Sequence, residues 1–350
     1  MIDFPNSIEA IDAAWLGECL AANYPGTEVT RAERGKVISG TATKVEYKLE
    51  YNQVGHDQKL PPSLWLKCGL ETQIPEQAVH STVEALFFHD LARRLPVNLP
   101  RPYATAFAPD GASGIVLYED LNLRPVRFAE QGTELSAPTI AALMDQLAGL
   151  HASFWRSPEL SALGWLKPGG IIHSDQVVTR FMAFWDQSLP LPRFAKVPAE
   201  LRDPERIERA IMAMLAGDIA NPICLVHGDP HVGNLFFDAD GTPGLLDWAT
   251  VMQGNWAWDV AYAMIACQTV EQRRALQREQ LSSYLEKLAA HGVAVPAFDD
   301  AWRDYLRHAI WVFLFALCPA ELQPEELCTQ MAERGSAAII DLGTMEALIG

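Results

Sequence analysis

Leu225-Val226-His227-Gly228-Asp229-Pro230-His231-Val232-Gly233-Asn234-Leu235 is the stretch whose reading decides the fold. Two apolar residues run into a polar cluster, and the chain then returns to an apolar strand. A turn at Asp240-Gly241 leads on to Leu245-Leu246-Asp247-Trp248. Three oxygen-bearing side chains, Asp229, Asn234 and Asp247, therefore stand at the ends of short β elements that can converge. Phosphoryl transfer needs such a set. One carboxylate orients an attacking hydroxyl, while a second carboxylate and an amide oxygen hold Mg²⁺ against nucleotide phosphates.

Upstream, the hydrophobic period separates two kinds of chain. Ile8, Ile11, Trp15, Leu16 and Leu20 predict a helix over residues 7–23 that starts at Ser7. Val45, Tyr47, Leu49 and Tyr51 alternate with Lys44, Glu46, Lys48 and Glu50, the mark of a half-buried strand. Val37-Ile38 before it, across Ser39-Gly40-Thr41, completes a hairpin. Residues 55–59 read as a loop, residues 63–68 as a strand carrying Lys67, and residues 75–95 as a helix containing Glu84. Two more strands are expected at 101–107 and 114–118, around the turn Pro109-Asp110-Gly111. Beyond that the pattern is helical. Ile140, Leu143, Met144, Leu147, Leu150 and Phe154 line one face. The clear β signal of this part is the hairpin of 235–237 and 244–246. The expectation is an α+β chain: a small strand-rich lobe, residues 1–118, then a larger helical lobe, residues 119–350, with an inserted hairpin.

The chain has 350 residues, 49% hydrophobic and 20% charged, which suits a folded protein of two lobes. Its net charge of −17 repels phosphate backbones and anionic membranes, so nucleic-acid and membrane-surface roles are not expected. Cys19, Cys68, Cys224, Cys267, Cys318 and Cys328 have no CxxC spacing and read as reduced thiols. The acidic start, with Asp3, Glu9 and Asp12, is unlike a signal peptide. The longest apolar run, residues 309–320, is too short to span a bilayer and reads as a buried helix. These features point to the cytoplasm.

Asp229, four residues and Asn234 keep the kinase spacing D-x-x-x-x-N. His227-Gly228-Asp229-x-His231-x-Gly233-Asn234, followed by Asp247-Trp248, resembles the aminoglycoside phosphotransferase and choline kinase-like superfamily. Val116-Leu117-Tyr118-Glu119-Asp120-Leu121 and Trp258-Asp259-Val260-Ala261-Tyr262 look similar to its ecdysteroid kinase-like branch. The resemblance implies a protein-kinase-like bilobal fold that binds ATP and Mg²⁺ between its lobes. By it, Asp229 would be the catalytic base, and Asn234 and Asp247 the metal ligands. Lys67 would contact the phosphates, and Glu84 would pair with Lys67. The backbone of Tyr118, Glu119, Asp120 and Leu121 would bind adenine, and Ser39, Gly40 and Thr41 would cover the phosphates. Trp248 after the metal aspartate, in place of Phe-Gly, favours a small-molecule kinase over a protein kinase. No G-x-x-x-x-G-K-[ST] loop is present, because Asn234 stands where the lysine would be.

Competing readings exist for several residues. His227-x-Asp229-x-His231 has the alternation of a transition-metal site, although Gly228 and Pro230 argue against a regular strand. His227, His231, His151 and Asp259 read more simply as braces of the loop or satisfied core groups. Glu76 competes with Glu84 as the partner of Lys67. Trp248, Trp256 and Trp258 either line an apolar acceptor pocket or fill the core. The expected activity is ATP-dependent transfer to a hydroxyl of a small, weakly polar molecule. The rivals are a nucleotide-binding pseudokinase that regulates a partner and a metal-dependent hydrolase.

Overall fold

The computed structural model describes residues 3–72, 78–174, 176–319 and 322–350. The chain forms two compact units. The first comprises Met1–Leu95, Leu99–Val126 and Asp247–Ala249, and the second comprises Pro96–Asn98, Arg127–Leu246 and Thr250–Gly350. The main division thus falls after Val126, beyond the expected limit at Tyr118. Each unit also borrows a three-residue piece that sequence order assigns elsewhere.

The first unit is built on one antiparallel sheet of order β1-β2-β3-β5-β4. Its strands are β1 (Val29–Ile38), β2 (Thr43–Tyr51), β3 (Ser63–Cys68), β4 (Pro102–Phe107) and β5 (Gly114–Glu119). Alternation sends Val45, Tyr47, Leu49, Leu64, Leu66 and Cys68 into one core, which includes Leu16 and Leu20 of the helix Ala13–Ala21. The same period-two rule puts Ser63, Trp65 and Lys67 on the other face of β3. The helix Val79–Asp90 buries Glu84, Ala85, Phe87 and Phe88.

The second unit is mostly helical. Its principal helices are Ala137–Ser153, Pro204–Ala220, Ala257–Ala266, Val270–Ala290, Phe298–His308 and Glu325–Leu342. Set among them are β6 (Arg127–Phe128), β7 (Cys224–Val226), β8 (Leu235–Phe237), β9 (Pro243–Leu245) and β10 (Met252–Gly254). β6, β8 and β9 form one small sheet, and β7 pairs with β10. The β8–β9 turn uses Gly241 at φ +85°, where a side chain would be strained. Cys224, Cys267, Cys318 and Cys328 here, like Cys19 and Cys68 in the first unit, are free and buried. Among the described residues no helix is long and apolar enough to cross a membrane.

Several expected elements differ. The first helix begins not at Ser7 but after Asp12, whose carboxylate accepts the Trp15 amide at 2.9 Å. Ile8 and Ile11 are buried all the same, so apolar spacing alone overran the cap. Residues 55–59 are partly a short helix, Gln53–Asp57, capped by Asn52. The run from Ala309 to Leu317 is 3₁₀ rather than α. The N-terminal part of the helix expected over 75–95, and Glu76 with it, lies outside the described residues. β6, β7 and β10 have only two or three residues each, too few to display a period.

His308 closes the helix Phe298–His308 with both ring nitrogens against acceptors. Nδ1 lies 2.6 Å from the Asp304 carbonyl, and Nε2 lies 3.0 Å from Asp218 Oδ2. A carbonyl and a carboxylate both accept, so the imidazolium form satisfies both contacts at once. Burial opposes that charge, but Asp218 outweighs it and raises His308 above its ordinary value of 6.5. Because the folded value lies above the unfolded one, this stabilisation is complete below pH 6.5 and is lost as pH climbs through the folded value. The thermal midpoint should therefore fall as pH rises from 6.5 through the folded value. In Asp218→Asn the fall should be shallower, as measured by melts at a series of pH values.

Candidate functional site

In the first unit, the Lys67 ammonium lies 2.6 Å from Glu84 Oε2 and 2.8 Å from Asp247 Oδ1. The Lys67 and Glu84 side chains are 4% and 3% exposed, whereas Asp247 keeps 30%. Burial disfavours the ammonium, but Asp247 and Glu84 outweigh it and hold Lys67 above the ordinary lysine value. Glu84 shares its cation with Asp247. Burial first, helped by that neighbouring charge, pushes Glu84 up against the pull of Lys67. Glu84 Oε1 also accepts the Trp248 amide at 3.2 Å. Asp247 itself sits at φ +61°, a left-handed conformation that costs on the order of 1–3 kcal/mol in a residue other than glycine.

Tyr118 lies opposite Trp65 across the β3–β5 pair, and Val116 lies opposite Lys67. Asp120, expected to offer its backbone, has a side chain wholly engaged in structure. Its carboxylate accepts from Ser63 Oγ at 2.8 Å, Trp65 Nε1 at 3.2 Å and Asn122 N and Nδ2 at 3.0 and 2.8 Å. Burial opposes ionisation, but these donors hold Asp120 below the usual carboxylate range. Leu121 is buried in the one-turn helix that Asp120 caps, and Glu119 pairs with Arg124 at 3.4 Å. An open hollow of about 450 Å³ is lined by Lys48, Ser63, Asp120 and Leu123 among others. Ser39, Gly40 and Thr41 form the link between β1 and β2. A Cβ at Gly40 would meet only ordinary contact, so the fold itself does not require glycine there.

In the second unit, Asp229 and Asn234 come together. Asn234 Nδ2 donates to Asp229 Oδ2 at 2.9 Å and to the Asp229 carbonyl at 3.0 Å. That leaves the amide Oδ1 as the acceptor. The Asn234 carbonyl in turn accepts the Leu246 amide at 2.8 Å, immediately before Asp247 in the chain. Gly228 adopts φ +88°, and a Cβ there would stand 2.6 Å from the Thr250 carbonyl, so only glycine fits.

The loop around Asp229 is held from below. Asp259, fully buried, accepts the amides of His227 and Gly228 at 2.7 and 2.8 Å, and His151 Nε2 lies 3.1 Å away. Tyr284 completes this set at 2.8 Å from His151 Nδ1. The His227 ring spans the Leu246 carbonyl at 3.0 Å and the Asp229 amide at 3.1 Å. His231 Nδ1 accepts the Gly233 amide at 3.0 Å. These bonds commit both His227 nitrogens and one His231 nitrogen to backbone, which removes the transition-metal reading. Among the described residues no group of three or more His, Cys, Asp and Glu side chains is arranged to hold a metal ion.

The three tryptophans resolve an open alternative in favour of the core. Trp248 stacks on Phe87 at 4.1 Å, Trp256 on Tyr284 at 5.1 Å, and Trp258 packs against Trp311 at 4.3 Å. All are at most 1% exposed, so they fill cores and line no acceptor pocket. Two residues stand in the site to which the sequence reading gave no role. Trp65 is half-buried beside Asp120, and Tyr262 donates to Asp229 Oδ1 at 2.8 Å. Position i−2 from Lys67 on a strand and i+3 from Asp259 on a helix were the available signals.

Residues 73–292 match the phosphotransferase enzyme family, designated APH. The chain belongs to this family. The solved structure of a Ralstonia eutropha protein provisionally called an aminoglycoside phosphotransferase is similar in fold. It is 13% identical, with a TM-score of 0.52 and 93% and 97% of the two chains covered. Other similar structures are a Plasmodium vivax ethanolamine kinase (11% identity, TM-score 0.49, 89% and 81% covered) and the macrolide 2'-phosphotransferase of Brachybacterium faecium (18%, 0.41, 89% and 96%). No curated protein matches the chain.

In this phosphotransferase, removing the cation from a buried pair leaves an uncompensated carboxylate. Lys67→Ala should destabilise the protein by roughly 3–5 kcal/mol. Lys67→Met combined with Glu84→Leu should recover part of that loss. Urea midpoints at equal slope measure both.

Proposed function

We propose that the protein transfers the γ-phosphoryl group of ATP to a hydroxyl of a small organic molecule. The observation that carries this reading is the pair of charge clusters. One is a buried lysine between two carboxylates, and the other is a partly exposed aspartate fixed by an asparagine amide. In the reaction, Asp229 orients the acceptor hydroxyl for in-line attack and takes its proton. Lys67 stabilises charge on the phosphates. Catalysis is chiefly positioning and electrostatics. The backbone of residues 118–121 serves the adenine. Trp65, locked by Asp120, offers an aromatic face to the base. Ser39, Gly40 and Thr41 close over the phosphates.

The donor set fits magnesium. Asp247 and Asn234 contribute hard oxygens, one from a carboxylate and one from an amide whose nitrogen is already spent on Asp229. Asn234 and Asp247 would hold Mg²⁺, which when bound offsets charge on the phosphates. Few protein ligands suit this ion, which keeps waters and takes oxygens from the nucleotide itself.

The acceptor reading follows the ecdysteroid kinase-like resemblance and favours a weakly polar alcohol over an aminoglycoside. The pseudokinase alternative is disfavoured because lysine, glutamate, aspartate and asparagine are all retained. A labelled-ATP transfer screen over sterols, hydroxyacyl thioesters, amino alcohols and aminoglycosides tests the proposal, and label on no acceptor together with no ATP turnover would refute it. Asp229→Asn should lower turnover roughly 10²–10⁴-fold with ATP binding little changed. Asp247→Ala should instead weaken Mg²⁺–ATP binding, read by titration calorimetry.

A further inference from the structure

We infer that Tyr262 is a positioning residue that fixes the Asp229 carboxylate in its working orientation, an inference that rests on the catalytic reading of Asp229. The helix Ala257–Ala266 grips three successive residues of the loop. Asp259 accepts the amides of His227 and Gly228, and Trp258 Nε1 donates to the Gly228 carbonyl at 3.0 Å. Tyr262, three residues after Asp259 and so on the same helical face, reaches Asp229 itself. Its hydroxyl donates to Oδ1 at 2.8 Å, while Asn234 Nδ2 donates to Oδ2 at 2.9 Å.

Each oxygen of the carboxylate is thereby anchored by a different element. Rotation about the carboxylate bond would break both bonds. The remaining lone pairs are thus presented to an incoming hydroxyl in one direction, and misplacement of about 1 Å can cost on the order of 10²-fold in rate. The phenol is itself held rigidly. Tyr262 is buried, with its ring 6.1 Å from that of His231 and 6.2 Å from that of Phe315. Burial, and next the Asp229 charge, keep the phenol well above its ordinary range, so it acts as a donor. A packing role alone would need only the ring; the hydrogen bond needs the oxygen.

The test uses the full chain with Mg²⁺ and ATP, and reads release of labelled phosphate to water, so that no acceptor need be known. Tyr262→Phe keeps the ring and removes the oxygen. It should lower kcat about 10–100-fold, leaving KM for ATP and the thermal midpoint near wild type. In an Asp229→Ala background the same change should have no further effect, because nothing remains to be oriented. Tyr262→Met, apolar and flexible, is the second variant if the first does not fold, read by its loss of kcat and by the absence of any further loss in the Asp229→Ala background. Turnover within twofold of wild type in either variant, or a full additional loss in the Asp229→Ala background, overturns the inference. Wild-type turnover in Asp229→Asn, or no ATP turnover by the wild type, overturns instead the catalytic reading beneath it.

Discussion

A carboxylate sealed from water governs the second unit. Asp259 is fully buried, and an ion in that position is tolerated only if its lone pairs are met by donors. Here the donors are the two backbone amides that open the loop before Asp229 and a buried histidine, itself in contact with a buried tyrosine. The electrostatic need of one side chain thus dictates the path of the chain from His227 to Asp229. Left-handed Gly228 makes that path sterically possible. His227 then ties the loop to the Leu246 carbonyl, so the β8–β9 hairpin is held in the same register.

The first unit is organised around a charge of the opposite sign. Lys67 comes from the middle of a sheet, Glu84 from a helix and Asp247 from a segment far along the chain. The ammonium needs both carboxylates to be stable in so dry a place. Asp120 works in the same manner on a smaller scale, gathering donors from β3 and from its own turn. In each case a buried acceptor or donor, not apolar contact, sets the position of the polar side chains around it. The apolar cores supply the rigidity that keeps these geometries from drifting.

Much of this was legible beforehand. The alternation in β2 identified its buried face, and residues 63–68 were expected as the strand that carries Lys67. The His227–Asn234 spacing placed two groups that do meet, and Asp259 read correctly as an anchor of the loop. Other features left no trace in the sequence. β6, β7 and β10 exist because a neighbour pairs with them, and no period can announce that. Tyr262 is indistinguishable in pattern from any core aromatic until its oxygen is seen against Asp229. The tryptophans stayed open between two readings for the converse reason: clustering beside Asp247 marks packing as readily as it marks a binding wall. The first unit's borrowed piece, Asp247–Ala249, could not be assigned by any scheme that cuts a chain into consecutive blocks.

The backbone at Asp247 constrains heredity as well as chemistry. At φ +61° glycine rests free of strain, asparagine and aspartate are the best tolerated of the other residues, and β-branched residues are all but barred. Of the three, only aspartate brings a negative charge to Lys67. The position is therefore doubly filtered, once by shape and once by valence. Few side chains meet both demands at once.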